Sequence, residues 1–341
     1  MRAIVHEKYG PPEVLEFKEV DKPAPDDRRG VLIKVYASSV NPADRYSMLG
    51  PFMARVIGRS GLRRPKDPQL GTDVAGRVES VSENVTQFKP GDEVFGVALG
   101  SYAEYAVARE NRVALKPVNF SFEEAAAVPI AGFTALQALR DHGHIQPGQK
   151  VLINGAGGGV GTYAVQIAKS FGTEVTAVTN SRNLDLVRKL GADHVIDYTK
   201  EDFAKSGEKY DLICDIAASH SIPEYKRLLN PGGTFVLVGM RGRIFSRLLY
   251  YILRGRFLSR GDKKFAFFIA RSNQEDLVFL RQLIEQGKVV SVIDRRYPLS
   301  DTGKAIQYLG EGNARGKIVI TLESEIKPSV ENRELLSIPV L

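Results

Sequence analysis

The sequence predicts an α/β protein in which a doubly wound parallel sheet is joined to a smaller, mostly antiparallel β-barrel. Two patterns support this prediction. The first third of the chain alternates short β-rich runs with glycine and proline turns such as KPGDE, which is typical of a compact barrel. From about Ser121 strands alternate with helices, which indicates a parallel sheet with helices on both faces.

The order of the elements places the domain boundaries. The predicted barrel strands are RAIVHEK, VLIKVYASSV, DVAGRVESV, DEVFGVA and YAEYAVA. The alanine-rich helical run FEEAAAVPIAGFTALQAL leads into the strand KVLINGA, the helix VGTYAVQIAKSFG, the strand EVTAVT and the helix NLDLVRKLG, and then into the strands HVIDY, YDLICDIA and TFVLVG. After VVSVIDRRYPLS and the helix DTGKAIQYL, the last strand, GKIVITLE, again has barrel character. We therefore assign residues 1–121 and 293–341 to the barrel domain and residues 122–292 to the parallel-sheet domain.

Composition excludes several classes of protein. With 341 residues, 43% of them hydrophobic, the chain is long enough to fill two domains with ordinary cores. Its longest apolar clusters, LLYYIL and FAFFIA, fall far short of the ~20 residues of a membrane-spanning helix. The start, MRAIVHEKYG, lacks the apolar core of a secretory signal. We expect a cytoplasmic protein that begins near Met1.

Residues that could bind a metal are few. Cys214 is the only cysteine, and we expect it to lie buried in the strand YDLICDIA. The histidines are scattered along the chain: His6, His142, His144, His194 and His220. Because a zinc site needs about three or four converging ligands, this distribution predicts no metal site.

The most informative stretch is VLINGAGGGVGTYAVQIAK. An apolar strand ends at Asn154, a glycine-rich turn follows, and an amphipathic helix begins at once. Glycines let backbone amides approach a pyrophosphate, and the helix N-terminus offers free N–H groups to the anion. Ala156 departs from the strict G-x-G-x-x-G pattern counted back from Gly161, and a tight turn without a ligand is the alternative. The residues expected at the phosphates are Gly155, Gly157, Gly158, Gly159, Val160 and Gly161.

The end of the second strand of this domain indicates which nucleotide binds. Sites selective for NAD place an acid there, about 20 residues after the glycine turn, to bind the ribose hydroxyls. Here the strand ends in Thr179, Asn180, Ser181 and Arg182. The Arg182 guanidinium suits a 2′-phosphate, and Asn180 and Ser181 can donate hydrogen bonds beside it, so NADPH is favoured over NADH. The alternative is that Arg182 is a solvated residue at a helix start.

Several motifs together carry a resemblance to a known family: SSVNPADRY, GTDVAGRV, FKPGDEVFG, AVPIAGFTAL, GAGGGVG, LGADHVIDY, VIDRRYPL and ARGKIVI. Up to about Glu323 the chain resembles the medium-chain dehydrogenase/reductase superfamily, in particular its zinc-free quinone oxidoreductase branch. The resemblance implies a GroES-like catalytic barrel domain and a Rossmann NADP-binding domain, assembled as a homodimer. It also implies that the nicotinamide lies in the cleft between the two domains.

The chain departs from the zinc-dependent members of that superfamily at both ligand segments. Zinc alcohol dehydrogenases carry a cysteine ligand in the segment that reads Ser39-Val40-Asn41 here, and a histidine followed by glutamate where this chain has Gly71-Thr72-Asp73. Without a Lewis acid, oxidation of simple alcohols is difficult. Quinones and enones need less help, since a hydrogen-bond donor can stabilise the charge that develops on their oxygen. We therefore expect NADPH-dependent reduction of a quinone or an α,β-unsaturated carbonyl compound.

The resemblance also implies roles for individual residues. Tyr46 is expected to orient or protonate the substrate oxygen, Asn41 to contact substrate or nicotinamide, and Asp44 to fix this loop by hydrogen bonds. Tyr46 can instead be an aromatic lining of the cleft, with solvent supplying the proton.

Other residues are expected along the coenzyme. Thr134 is expected beside the nicotinamide, although its hydroxyl can instead bond its own helix. Gly239 and Met240 are expected near the carboxamide. Tyr198 and the turn of Arg315, Gly316 and Lys317 are expected near the adenosine phosphate and the cleft.

One basic segment leaves the biological setting open. The formal net charge is +7, and all of the excess lies between Arg241 and Lys264, which argues against a nucleic-acid-binding protein. Residues 243–254 show an amphipathic helical pattern, which can dock on an anionic membrane surface or pack as a lid over the substrate cleft. Alternatives to an enzyme are a membrane-associated scaffold and an NADPH-binding sensor with little turnover.

Overall fold

The computed structural model describes residues 1–25, 30–51, 61, 63–238 and 262–322. The strands in this part of the chain are β1 (Arg2–Val5), β2 (Glu16–Glu19), β3 (Gly30–Val40), β4 (Asp73–Val81), β5 (Glu93–Val97), β6 (Tyr105–Arg109), β7 (Val113–Leu115), β8 (Lys150–Asn154), β9 (Glu174–Thr179), β10 (His194–Asp197), β11 (Tyr210–Asp215), β12 (Leu229–Leu237), β13 (Lys264–Phe267), β14 (Ile293–Pro298) and β15 (Lys317–Thr321). The α-helices are α1 (Pro42–Leu49), α2 (Phe122–Ala126), α3 (Pro129–Gln137), α4 (Gly159–Ser170), α5 (Leu184–Lys189), α6 (Ile222–Leu228), α7 (Gln274–Glu285) and α8 (Thr302–Gly310).

Strands β3 to β7 share one sheet with the last two strands, β14 and β15, whereas β1 and β2 form a separate ribbon. Its order is β14-β15-β3-β4-β5-β7, and β6 also pairs with β3. Only β14 and β15 run parallel, and the other pairs are antiparallel. Alternate residues of β3 (Val31, Ile33 and Val35) pack into one core with Val74 and Val94. This is the predicted mostly antiparallel sheet, and the final strand GKIVITLE joins it as β15.

The second large sheet is parallel throughout. Its strands lie in the order β10-β9-β8-β11-β12-β13. The direction of winding changes between β8 and β11, where Asn154 pairs with Asp215 at the carboxyl ends of the two strands. In a doubly wound sheet this switch point opens a crevice that binds ligands. The predicted doubly wound architecture is therefore confirmed, and the glycine-rich turn follows β8 at the crevice.

The alanine-rich run after Ser121 is helical, as predicted, and it forms two helices, α2 and α3. The helix α2 begins with a capping box, in which Glu124 N donates to Ser121 Oγ at 3.2 Å and Ser121 N donates to Glu124 Oε2 at 2.8 Å. Pro129 starts the next helix, α3, because proline lacks an N–H and fits the first helical position. Ile130, in the first turn of α3, has an N–H group without a partner inside the helix. It donates to Asp73 Oδ1 of the barrel sheet at 2.9 Å.

Buried side chains from both sheets meet around α3 and α4. Phe133 and Leu136 of α3 share a core cluster with Tyr163 and Ile167 of α4, and with Phe95 of β5. Cys214 is fully buried in β11, as predicted, and burial raises the pKa of its thiol. This packing holds the end of β3 close to the turn that follows β8.

Candidate functional site

The glycine turn after β8 is anchored to the neighbouring strand. Gly155 has φ +92°, and the N–H groups of Gly155 and Ala156 both donate to Val178 O, at 3.1 and 3.0 Å. A Cβ on Gly161 would lie 2.2 Å from Gly155 O, so only glycine allows the helix to start this close to the turn. The turn therefore has a fixed backbone path before any ligand binds.

Open space lies over the middle of this turn. A Cβ on Gly158 would have no neighbour closer than Gly155 O at 3.7 Å, and α4 begins at the next residue. The first N–H groups of a helix lack intrahelical partners and favour an anion. Nearby, at the end of β9, the Asn180 carboxamide oxygen is buried and has no hydrogen-bond partner within the described residues. A dinucleotide fits this arrangement, since it brings a phosphate for the turn and hydroxyl donors for the unpartnered oxygen.

Arg182 lies in a single turn, Ser181–Asn183, just after β9, and its contact with a 2′-phosphate stays a prediction. Its Nη2 donates at 3.1 Å to Oδ1 of Asn313, which lies between α8 and β15. It lines a polar cavity of about 450 Å³ that Arg295 and Lys304 also line. Glu311 also lines this cavity, and Asp301 pairs with Lys304 at 3.1 Å. The cavity lining thus has three cationic side chains against one carboxylate, a balance that favours an anion such as a phosphate.

Asp197 is a residue that sequence reasoning missed at this end of the sheet. Strand β10 brings its carboxylate to Ser181, whose hydroxyl donates to Asp197 Oδ2. That bond is the main cause that holds the pKa of Asp197 below its usual value. The proton of Ser181 is thus directed at Asp197, and donation from Ser181 to a phosphate stays a prediction. Tyr198, next along the chain, is 52% exposed and free to line a nucleotide.

At the end of β3 lies a buried polar group that we call the Lys317 cluster (Ser39, Asn41, Asp73 and Lys317). Ser39 Oγ and Asn41 Nδ2 donate to Asp73 Oδ2 at 2.5 and 2.8 Å. Lys317 Nζ donates to Asn41 Oδ1 at 2.6 Å and lies 3.3 Å from Asp73 Oδ2. The other oxygen of Asp73 accepts from Ile130 N at 2.9 Å, at the start of α3. All four side chains of the cluster are buried.

The Arg315-Gly316-Lys317 turn is expected near the adenosine phosphate and the cleft, and for Lys317 this stays a prediction. The Lys317 ammonium points into the cluster, because Asn41 and Asp73 supply the oxygens that a buried cation requires. Arg315 does face the nucleotide-binding half, where its Nε donates to Asn183 Oδ1 at 2.9 Å. The turn itself is joined to the glycine turn, since Gly316 N donates to Gly157 O at 3.1 Å.

Asp44 holds the start of α1 in place. Its Oδ2 accepts from Asn41 N at 2.7 Å and from Tyr102 Oη at 2.9 Å, and its Oδ1 accepts from Thr72 Oγ1 at 3.2 Å. Burial raises the pKa of Asp44 to about 6, although the bonds from Asn41 and Tyr102 favour the carboxylate. Burial, followed by the neighbouring Asp44, also raises the pKa of Tyr102 well above its usual value. These hydrogen bonds fix the loop at the start of α1, which is the role that the family resemblance implies for Asp44.

Tyr46 lies on α1 and Thr134 on α3. Tyr46 is half-buried, and its hydroxyl makes no hydrogen bond to the described residues. Thr134 Oγ1 donates to Ile130 O at 2.6 Å within α3, which is the alternative reading of this residue. Gly239 and Met240 lie outside the described residues, as does most of the basic segment from Arg241 to Lys264.

Sequence reasoning missed Asp73 and Tyr102 as functional candidates. A weak signal for Asp73 exists, since it is an acid at the head of the otherwise apolar run VAG in β4.

Over the described residues no group of three or more His, Cys, Asp or Glu side chains converges as metal ligands would. In the same residues no helix has the length and apolar character needed to cross a bilayer.

Comparison with known proteins agrees with this geometry. The alcohol dehydrogenase GroES-like domain family matches residues 27–118, and the zinc-binding dehydrogenase family matches residues 190–320. The chain is 36% identical over 340 residues to the chloroplastic quinone-oxidoreductase QR1 of Triphysaria versicolor, covering 94% of this chain and 98% of the relative. It belongs to the medium-chain dehydrogenase/reductase superfamily, in the quinone oxidoreductase branch.

Other members of this superfamily are similar over the same length. The chain is 36% identical over 335 residues to 2-methylene-furan-3-one reductase of Solanum lycopersicum, covering 94% of this chain and 79% of the relative. A mitochondrial NAD(P)H oxidoreductase of Mus musculus is 33% identical over 361 residues, covering 94% and 89%. The structure of the quinone oxidoreductase from Coxiella burnetii has a TM-score of 0.82 at 30% identity and covers 95% of this chain and 99% of its own. The family resemblance and the Rossmann and GroES-like folds predicted from sequence are thereby confirmed.

Membership of this superfamily makes the chain an oxidoreductase of the NAD(P)H-dependent type. Relatives are named as chloroplastic and mitochondrial proteins, so the expected cytoplasmic location of this chain stays a prediction. The homodimer and the membrane contact of the basic segment stay predictions as well.

Proposed function

We propose that this oxidoreductase is a zinc-independent, NADPH-dependent reductase of quinones or α,β-unsaturated carbonyl compounds. The observation that carries the proposal is the open glycine turn, held beside the Lys317 cluster at the head of α1. The turn and the first residues of α4 would hold the phosphates of a nicotinamide coenzyme, which would supply hydride to an acceptor. The printed names of the relatives, a quinone-oxidoreductase and a 2-methylene-furan-3-one reductase, support acceptors of this conjugated kind.

The choice of NADPH rests on Arg182. Its guanidinium borders the cavity that Arg295 and Lys304 line, and a permanently charged planar fork suits a 2′-phosphate. Asp197 adds one negative charge nearby, but hydrogen bonds from Ser181 and Thr199 already hold its carboxylate. We infer that this end of the sheet accepts a 2′-phosphate.

The residues at the end of β3 do not fit a zinc ion. The side-chain oxygens of the Lys317 cluster already take part in hydrogen bonds within the cluster, including those from the Lys317 ammonium. The cluster contains no cysteine and no histidine. Zinc in dehydrogenases is held by sulfur and nitrogen ligands with an open position for substrate. These residues therefore do not fit the metal that the description of a matching family, zinc-binding dehydrogenase, implies.

The protein's task in such a reaction is to position the reactants and to stabilise charge. The nicotinamide, when bound, supplies hydride to a carbon of the acceptor. Conjugation moves the resulting charge onto the acceptor oxygen, where a hydrogen-bond donor suffices. We propose that Tyr46, whose hydroxyl is free of partners among the described residues, is that donor. Asp44 holds the first turn of α1, and so fixes where Tyr46 stands.

The remaining site assignments are proposals of the same kind. Gly155, Gly157, Gly158, Gly159, Val160 and Gly161 line the phosphates, and Asn180, Tyr198 and Arg315 line the adenosine end. Thr134 contributes the surface of α3 beside the nicotinamide. We also propose domain boundaries near residues 121 and 293, which follow the sheet membership of the strands on either side.

The test is NADPH oxidation against a panel of quinones and enones, followed by identification of the products. Turnover with at least one conjugated acceptor, and none with simple alcohols and NADP⁺, is the expected result. Tight NADPH binding with no oxidation across the panel would refute the reductase and favour a sensor with this fold. Stoichiometric zinc in protein purified without added metal would refute zinc independence.

A further inference from the structure

Lys317 is a buried lysine whose hydrogen-bonding capacity is met entirely by protein oxygens. Its side chain is 3% exposed. Nζ reaches Asn41 Oδ1 at 2.6 Å, Asp73 Oδ2 at 3.3 Å and Val40 O at 3.4 Å, which matches the three N–H donors of an ammonium. An ammonium engaged in this way is not available to a coenzyme phosphate.

The same side chain also lies against the phosphate turn. Its Cδ would be 3.1 Å from a Cβ placed on Gly159, the first residue of α4. The preceding residue, Gly316, donates to Gly157 O at 3.1 Å. Strand β15 pairs with β3 so that Ile318 stands opposite Val40, which brings Lys317 to the end of β3. One residue therefore touches both the turn expected to hold the coenzyme and the start of the helix that carries Tyr46.

The charge of Lys317 is poorly explained by stability alone. A buried ion pair is often no more stable than well-packed apolar residues of the same volume, because both charges lose their water. What the ammonium does fix is orientation. An ammonium can only donate, so it holds the Asn41 carboxamide with Oδ1 toward Lys317 and Nδ2 toward Asp73. Without this cation Asn41 would lose the partner of its oxygen and could turn over.

We propose that Lys317 is a positioning residue for hydride transfer, which locks Asn41 and Asp73 together and ties the start of α1 to the phosphate turn. The proposal rests on the proposed reductase activity. Lys317 itself touches neither the transferred hydride nor the acceptor. It acts through Asn41, whose backbone N–H also donates to Asp44 Oδ2.

The test compares Lys317→Met with Lys116→Met. Methionine keeps the stem that packs on Gly159 and removes the ammonium. Lys116 is a matched control, because its side chain is also buried, with 8% exposed, and its Nζ donates to Phe120 O at 2.6 Å away from the site. For Lys317→Met we expect kcat to fall roughly 100-fold, the loss typical of a small misplacement of reacting groups. The dissociation constant of NADPH should stay close to that of the wild type, and Lys116→Met should leave both quantities unchanged.

A second variant separates positioning from a failure to fold. In Lys317→Met combined with Asp73→Asn, the uncompensated buried carboxylate is gone, so its unfolding temperature should exceed that of Lys317→Met. Its kcat should remain low, because Asn41 still lacks its cation. A wild-type kcat in either variant would overturn the proposal, and so would a loss of NADPH affinity in proportion to kcat. Absence of turnover in the wild type would instead refute the reductase itself.

Discussion

Replacing Gly158 by alanine tests the phosphate turn directly, since this position can accept a side chain in the protein alone. The backbone at Gly158 is extended, with φ −92° and ψ −179°, which any L-residue adopts. The added Cβ would have no neighbour closer than 3.7 Å. We therefore expect the free energy of unfolding to change by no more than about 0.5 kcal/mol.

Coenzyme binding should change much more. The new methyl group would occupy the space over the turn and keep a phosphate away from the backbone amides at the head of α4. A hydrogen bond to a charged group contributes about 1.5–3 kcal/mol. Loss of one such bond would raise the dissociation constant of NADPH roughly ten- to 150-fold.

The assay is a calorimetric titration of NADPH beside a thermal unfolding curve for each variant. Gly303→Ala, on α8, is the matched control, because its Cβ would stand 3.5 Å from Pro12 O, in ordinary contact. Gly161→Ala should instead lower the unfolding temperature, since its Cβ would lie 2.2 Å from Gly155 O. Wild-type NADPH affinity in a stable Gly158→Ala protein would refute this placement of the phosphates.

Three further changes have clear expected outcomes. Arg182→Asp should raise the KM for NADPH far more than the KM for NADH, and equal effects in steady-state kinetics would place the 2′-phosphate elsewhere. Tyr46→Phe should lower kcat if the hydroxyl acts in the transition state, whereas an unchanged kcat would leave solvent as the proton source. Asp44 has a pKa of about 6 against an ordinary 3.8, so its proton favours the folded state, and this stabilisation is lost as pH rises from 4 through 6. Relative to Asp44→Asn, the wild type should lose about 2 kcal/mol between pH 4 and pH 7 in denaturant unfolding, and a pH-independent difference would contradict the burial argument.

The parts of the fold that could be predicted from sequence are those encoded in short stretches. The strand before Gly155 and the helix after it leave their periods in adjacent residues, and glycine is required in the turn by backbone geometry alone. The break at Pro129 was readable in principle, because proline rarely continues a helix. The helical character of the run was predicted, and the proline divides it into α2 and α3.

The Lys317 cluster could not be predicted, because its members come from distant parts of the chain. Asn41 and Asp73 are 32 residues apart, and Asn41 and Lys317 are 276 residues apart. The pairing of β4 with β3 brings Asp73 to Asn41, and the pairing of β15 with β3 brings Lys317 there, and no local pattern of residues records either pairing. The contact of Asp197 with Ser181 has the same origin, in the pairing of β10 with β9.

The central claim is that this chain passes hydride from a reduced nicotinamide to a conjugated acceptor. The most direct measurement uses NADPH carrying deuterium at C4, on one face and then on the other, with mass spectrometry of the reduced enone. The account predicts one deuterium at the β-carbon of the product from one of the two labelled coenzymes. Oxidation of both coenzymes with no label in any product would contradict it.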